Sequence, residues 1–127
     1  MGFIDNPIRL DLNNPVFQEH LFGLQKPERN AAVDTLRKIW LLSWGQLYRD
    51  NGLKWEKIVS VKPPQGVYAI YSLRITQSRR CTAYRDGDFM RLLTVAPDHD
   101  WRPALGYIPD FPLPSPSGPT RPGLHHA

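Results

Sequence analysis

An arginine pair and a histidine in the second half of the chain have residue types and spacing that suit phosphate chemistry. Arg74 precedes Arg80 by six residues, and His99 stands between Asp98 and Asp100. A guanidinium can bind a phosphate through two hydrogen bonds, and an imidazole can transfer a proton near neutral pH. Together they would suit cleavage of a phosphodiester without a metal ion. Ordinary structural roles stay open too: a rim salt bridge for Arg74 and a hydrogen-bonded loop for His99.

Positive charge is concentrated around these residues. Residues 54–91 hold eight basic and three acidic side chains, whereas the whole chain of 127 residues has a net charge of +4. Clustered lysines and arginines bind nucleic acid largely by releasing its counterions. The segment therefore predicts either a phosphate-facing surface or a solvated charged face, and charge alone does not decide between them.

The first half of the chain predicts two helices. Asn14 followed by Pro15 is typical of an N-cap and a first turn, and apolar residues continue at helical spacing to Leu24. A second, longer helix is expected to begin at Pro27 and to end at residues 51–52, an Asn-Gly pair typical of a left-handed stop. We interpret its apolar stripe as core. The stripe comprises Val33, Leu36, Ile39, Trp40, Ser43, Trp44, Leu47 and Tyr48.

From residue 55 the apolar period changes to two, which predicts strands. Four are expected, over residues 55–61, 67–76, 80–85 and 89–96, with turns at residues 63–66 and 86–87. One face of the long second strand is expected to pack against the second helix, and the other, with Arg74, to be free. The packed face comprises Val67, Ala69, Tyr71, Leu73 and Ile75. The pattern predicts an α+β fold in which two N-terminal helices pack on an antiparallel β-meander of about four strands.

The end of the chain differs in composition from the rest. Seven of the 13 prolines lie in the last 26 residues, and such a stretch supplies neither a helix nor a central strand. We expect a single domain over residues 1–101 and a Pro-rich extended or disordered tail over residues 102–127.

The remaining composition narrows the class of protein. The single Cys81 excludes a disulfide within the chain and a multi-cysteine metal site. We expect no metal and no cofactor. The longest apolar run is too short to cross a membrane, and residues 1–6 lack the pattern of a signal peptide. We expect no membrane association and a cytoplasmic protein.

The strand motif makes the chain resemble a known family. Residues 71–80 (YSLRITQSRR), followed by a hairpin and a strand that ends in Asp98, His99 and Asp100, resemble the RelE/ParE superfamily of bacterial toxins. The branch is that of the ribosome-dependent mRNA endonucleases of the RelE, HigB and YoeB type. The resemblance covers roughly residues 52 to 101. It implies a RelE-like fold and a toxin that cuts mRNA in the ribosomal decoding site by attack of a ribose 2′-hydroxyl on the neighbouring phosphate.

The resemblance also implies roles for single residues. Arg80 would stabilise charge developing on the phosphate, and Arg74 would orient the phosphate or the strand. His99 would act as general acid or base, with Asp98 or Asp100 raising its pKa and setting its tautomer. Further side chains would contact RNA, the tyrosines by stacking on a base. They are Lys54, Lys57, Lys62, Tyr68, Arg79, Tyr84 and Arg85.

Three functions stay open at this point. The first is the toxin component of a type II toxin–antitoxin system, with an antitoxin, the ribosome and mRNA as partners. The second is a non-catalytic RelE-fold module that binds RNA or protein and needs Arg74 and Arg80 but not His99. The third is an adaptor whose tail, with prolines in residues 112–116, binds an aromatic groove. The antitoxin would bind the basic sheet face or the helices beside it, and deletion of residues 112–127 would change neither folding nor toxicity.

Overall fold

A five-stranded mixed sheet and three helices make up the computed structural model, which describes residues 5–97. The elements in chain order are β1 (Arg9–Asp11), α1 (Pro15–Phe22), α2 (Lys26–Trp40), α3 (Trp44–Tyr48), β2 (Glu56–Lys57), β3 (Tyr71–Thr76), β4 (Arg79–Asp86) and β5 (Phe89–Pro97). The strand order is β1-β5-β4-β3-β2. The predicted α+β class is confirmed. The domain boundary near residue 101 and the Pro-rich tail lie outside the described residues.

The sheet differs from the predicted four-stranded antiparallel meander. β1 pairs with β5 in parallel, and the other three pairs are antiparallel. The sequence analysis did not predict β1, because three residues are too few for a period of two to stand out. A backbone hydrogen bond from Arg9 N to Asp88 O, 2.9 Å long, joins β1 to the turn before β5.

The first helix begins where the sequence predicts. The side-chain oxygen of Asn14 accepts hydrogen bonds from the backbone N–H groups of Val16 and Phe17, at 2.8 and 3.3 Å. Pro15 stands in the first turn, where a missing N–H costs nothing. The helix buries Phe17 and Leu21 against the sheet.

The predicted second helix is wrong in its length, because two helices replace it. α2 ends at Trp40, and α3 begins at Trp44 after an N-cap at Ser43. Ser43 and Gln46 form a reciprocal capping box, in which each side chain accepts from the other residue's backbone N–H. Such a box favours a new helix start. The apolar stripe continues across the break because both helices face the same core.

The break separates the two tryptophans that the stripe placed together. Trp44 is buried at 2% exposure, whereas Trp40 is 59% exposed. The interpretation as core is confirmed for Trp44 and wrong for Trp40. Val33 and Tyr48, also in the predicted stripe, are exposed as well.

The β4–β5 hairpin is confirmed, with Gly87 in its turn at a φ of +63°. The two preceding predicted strands are too long, since β2 has two residues and β3 begins only at Tyr71. Instead, residues 58–70 fold back across the sheet. Ile58 N donates to Ile70 O at 2.9 Å, and Val67 N donates to Pro64 O at 3.0 Å.

Two apolar clusters lie on opposite faces of the sheet. The main core lies between the helices and the face we call the helix face, which carries Leu73, Ile75, Cys81, Ala83, Leu92 and Val95. The smaller cluster lies on the opposite face, here the outer face, and contains Ile58, Ile70 and Leu93. Leu73 and Ile75 therefore face the helices as predicted. Val67 does not, because it packs against the smaller cluster.

Candidate nucleic-acid interface

Arg74 and Arg80 lie opposite each other on the outer face. They are direct cross-strand partners in β3 and β4, so their side chains project from the same face. Like charges at such positions repel each other unless acceptors or an anion lie nearby. Arg74 has one such acceptor, since its Nη1 donates to the carbonyl of Gln77 at 2.7 Å. The register of β3 and β4 thus makes the two arginines neighbours across the strands.

Arg80 is held rigidly by its neighbours. The residue is only 5% exposed. Its Nη2 donates to Ser72 Oγ at 2.8 Å and to the carbonyl of Lys54 at 3.2 Å, and a carboxylate oxygen of Glu56 lies 3.9 Å away. A cation fixed in this way needs little reorganisation when charge develops beside it.

Ser72 is a site residue that the sequence analysis did not assign. It lies within the motif and two residues before Arg74, so period two places its side chain on the same face as both arginines. Lys54 also contributes through its backbone. Its φ of +51° is in the left-handed region, which is uncommon for lysine, and its carbonyl accepts from Arg80. Ser72 and Lys54 thus position the guanidinium that the sequence analysis singled out.

The predicted general acid or base lies outside the described residues, as do Asp98 and Asp100. The described part of β5 ends at Pro97, and Ala96 is the cross-strand partner of Arg80. His99 follows Ala96 by three residues in the sequence. Its role stays a prediction.

Arg79 ties the β3–β4 hairpin to α2. Its Nε lies 3.0 Å from a carboxylate oxygen of Glu28, and Glu28 also accepts from the hydroxyls of Ser78 and Thr76 at 2.5 and 3.1 Å. The hydrogen bonds from Ser78 and then Arg79 hold the pKa of Glu28 below its ordinary value. Arg79 is therefore engaged in holding the fold together.

Tyr84 lies on the outer face of the sheet, and Lys62 lies in the loop over residues 58–70 that packs on this face. Tyr84 is half-buried against the smaller cluster, and burial raises the pKa of its hydroxyl. Lys62 is exposed within residues 58–70.

Lys57, Tyr68 and Arg85 do not lie beside Arg80. Lys57 pairs with Tyr71, which pairs in turn with Ala83 of the helix face. A cleft of about 390 Å³ opens here, and we call it the tyrosine cleft. It is lined by Tyr48, Tyr68, Ala69, Tyr71, Arg85 and Gly87. The basic segment that looks continuous in sequence therefore divides between the two faces.

Aromatic contacts organise the tyrosine cleft. The rings of Trp55 and Tyr71 are stacked, with centroids 4.5 Å apart, and Trp55 meets Trp44 edge-on at 5.6 Å. The Arg85 guanidinium lies 4.3 Å from the centre of the Trp44 ring, and its Nη1 donates to the Tyr48 hydroxyl at 2.8 Å. The buried Trp44 and the Tyr48 hydroxyl thus orient Arg85.

The described residues 5–97 hold no cluster of metal-ligating side chains and no membrane-spanning helix. No group of three or more His, Cys, Asp or Glu side chains in this range could hold a metal ion. No helix in the same range is both long enough and apolar enough to cross a membrane. Burial raises the pKa of the Cys81 thiol, so it stays protonated and packs as an apolar side chain.

Comparisons with known proteins add little. No model of a protein family matches the chain, and no curated protein matches it. A solved structure of a copper-bound mutant toxin from Helicobacter pylori is similar with a TM-score of 0.37 and 16% identity, over 74% of this chain and 96% of that chain. So low a score carries no argument about fold or function. The function is therefore argued from the chain's own residues.

Proposed function

We propose that the chain is the toxin of a type II toxin–antitoxin pair, with a RelE-like arrangement, that cuts ribosome-bound mRNA at the outer face of its sheet. The observation that carries the proposal is the arginine pair. Arg74 and Arg80 are cross-strand partners, and the Ser72 hydroxyl accepts a hydrogen bond from Arg80. All three belong to the segment that resembles the family motif.

The proposed reaction is an internal transesterification. The ribose 2′-oxygen bonds to the neighbouring phosphorus, the bond to the 5′-oxygen breaks, and the products are a 2′,3′-cyclic phosphate and a 5′-hydroxyl. Arg80 stabilises the extra negative charge on the phosphate, and Arg74 orients it. His99 accepts the proton that the 2′-hydroxyl loses or supplies the proton that the 5′-oxygen gains, and Asp98 or Asp100 sets its tautomer.

The RNA contacts outside the reacting phosphate follow from charge. Lys54, Lys57 and Lys62 are exposed and supply sequence-independent contacts to phosphates. The compartment of such a reaction is the cytoplasm, where ribosomes and mRNA meet.

The antitoxin partner is proposed to dock on α2. Val33, Trp40 and Leu41 are exposed at spacings of seven and eight residues along this helix and its C-cap, so they share one face. Arg37 and Lys38 lie among them and are exposed. An amphipathic acidic segment would bury the apolar side chains and pair with the basic ones.

The second candidate is the non-catalytic RelE-fold module, and the burial of Arg80 favours it. A guanidinium that is 5% exposed and bonded to Ser72 and Lys54 can serve the fold alone. In that case the sheet binds RNA or protein without cutting RNA, and His99 has no role. The third, an adaptor acting through the Pro-rich tail, depends on residues outside the described range.

The test is expression in bacteria and translation in a reconstituted system, with mRNA 5′ ends mapped. Arg80→Ala should lower cleavage by about a hundredfold or more, the effect of removing one oriented charge-stabilising group. His99→Ala should also lower it. The control is Arg49→Ala, which removes an exposed arginine just after α3 and should leave cleavage unchanged.

Other outcomes decide between the candidates. Growth arrest without cut mRNA, unchanged by His99→Ala, would indicate the non-catalytic module. Full toxicity of a folded Arg80→Ala, His99→Ala double variant would contradict the proposal. Loss of all effects on deletion of residues 112–127, with folding retained, would indicate the adaptor.

A further inference from the structure

We infer that the tyrosine cleft is a second RNA contact, which binds one unstacked base of single-stranded RNA on the opposite side of the sheet from the arginine pair. The inference rests on the proposed function for the nature of the ligand. It goes beyond that function because Tyr48 and Tyr71 belong to no RNA contact that the sequence analysis assigned, and because the cleft lies away from Arg74 and Arg80.

The first argument is the exposure of aromatic rings. Tyr68 is 85% exposed at the rim of the cleft, and the nearby Tyr48 is exposed as well. Folding does not need a ring in that position, since Tyr68 belongs to neither apolar cluster. Exposed rings beside basic side chains are typical of surfaces on which successive bases stack.

The second argument is the pre-organised floor of the cleft. Tyr71 is only partly buried and stacks on Trp55, with ring planes 11° apart. Trp55 is held in turn against the buried Trp44. A base that enters beside Tyr71 therefore extends an existing stack and does not have to order a mobile ring. Such pre-organisation lowers the entropic cost of binding.

The third argument is the charge at the rim. Lys57 Nζ lies 5.4 Å from the centre of the Tyr68 ring, and Arg85 lies over Trp44. Three nearby acids have partners of their own: Asp86 pairs with Arg91 at 2.9 Å, Asp88 accepts from the Asn6 amide, and Asp5 accepts from the Ser43 hydroxyl at 2.7 Å. Cations above aromatic rings favour an anionic ligand with a planar group, which a nucleotide is.

The size of the cleft agrees with one nucleotide unit. Its volume of about 390 Å³ lies at the lower end of the range for small-ligand sites, about 300–1,000 Å³. The phosphates on either side of the bound base would then lie near Lys57 and Arg85. This predicts one or two phosphate contacts together with one stacked base.

The experiment measures binding of the full chain to a fluorescently labelled ten-nucleotide single-stranded RNA of uridine, by anisotropy. Tyr68→Leu keeps the apolar bulk but removes the ring, and it should raise Kd about tenfold, the loss of one base stack. Tyr68→Trp should bind at least as tightly as the wild type. Lys57→Ala should lower the slope of log Kd against log salt by about 0.7. Val59→Ala, an equally exposed residue of the loop over residues 58–70, should change nothing.

The outcome separates the inference from the proposed function. Arg80→Ala should lower cleavage by about a hundredfold or more while leaving binding of this short RNA within about twofold, because one stacked base and its flanking phosphates supply most of the affinity here. Tyr68-dependent binding by a wild-type chain that cuts no mRNA would support the inference and overturn the proposed function. Equal Kd values for Tyr68→Leu, Tyr68→Trp and the wild type would overturn the inference.

Discussion

The helix face and the outer face of one sheet are built by different means. On the helix face, three helices cover an apolar layer that includes Leu73 and Ile75. On the outer face, one loop packs two apolar residues of its own against Leu93, and the neighbouring positions carry Arg74, Arg80 and Ser72. Burial of apolar area stabilises the first, whereas hydrogen bonds to a buried cation organise the second. The strand alternation lets one face supply stability while the other presents charge.

The largest expected effect tests the helix face. Trp44→Ala should lower the free energy of unfolding by about 3–5 kcal/mol, because it removes a large side chain from a closed core. Trp40→Ala, four residues earlier and exposed, should stay within about 0.5 kcal/mol. Urea denaturation of the two variants measures the difference. Equal losses would show that the helix break between them is wrong.

The next effect compares the two clusters directly. Ile70→Ala should cost about 2 kcal/mol, the low end for such a truncation, since the loop over residues 58–70 can relax into the cavity. Leu73→Ala, from the opposite face of the same chain segment, should cost more. If the order is reversed in urea denaturation, the smaller cluster is the main support of the fold.

A smaller effect is expected from the hydrogen bond that positions Arg80. Ser72→Ala leaves Nη2 of a buried guanidinium without its 2.8 Å acceptor, which costs about 1–3 kcal/mol. Ser60→Ala, an exposed serine in the covering loop, is the matched control and should cost almost nothing. Thermal unfolding gives both values. If both variants unfold like the wild type, Arg80 does not depend on Ser72.

The smallest expected effect is a pH dependence of stability that arises where α1 contacts β5. His20 Nδ1 in α1 accepts from the backbone N–H of Val95 at 3.0 Å, and burial lowers the pKa of His20 below its ordinary 6.5 although Glu19 opposes this. At pH values between 6.5 and the lower pKa of His20 in the folded protein, the unfolded state binds more protons than the folded state. Stability therefore falls as the pH falls through this range. His20→Gln should remove this part of the pH dependence of the unfolding free energy. A wild-type unfolding free energy that rises as the pH falls from about 7.5 to 5.5 would contradict it.

Local patterns in the sequence determined much of the fold. The Asn14 cap, the hairpin at Gly87 and the period-two alternation that turns Leu73 and Ile75 inward depend on neighbouring residues only, and each is confirmed. The α+β class followed from the change of period near residue 55. The pairing of Arg74 with Arg80 does not follow from local pattern, because a regular two-residue turn that pairs Thr76 with Arg79 would place Ile75 opposite Arg80. A register shift between Arg74 and Thr76 makes the two arginines cross-strand partners.

Long-range contacts decided the rest. β1 has three residues and exists because β5 lies beside it, and the helix break at Ser43 places Trp44 inside and Trp40 outside. The position of Lys57 on the opposite face from Arg80 depends on the pairing of β2 with β3 and of β3 with β4. Sequence patterns report which residues can be buried or charged. Only the packed chain determines which of them share a surface, because that depends on neighbours far apart in sequence.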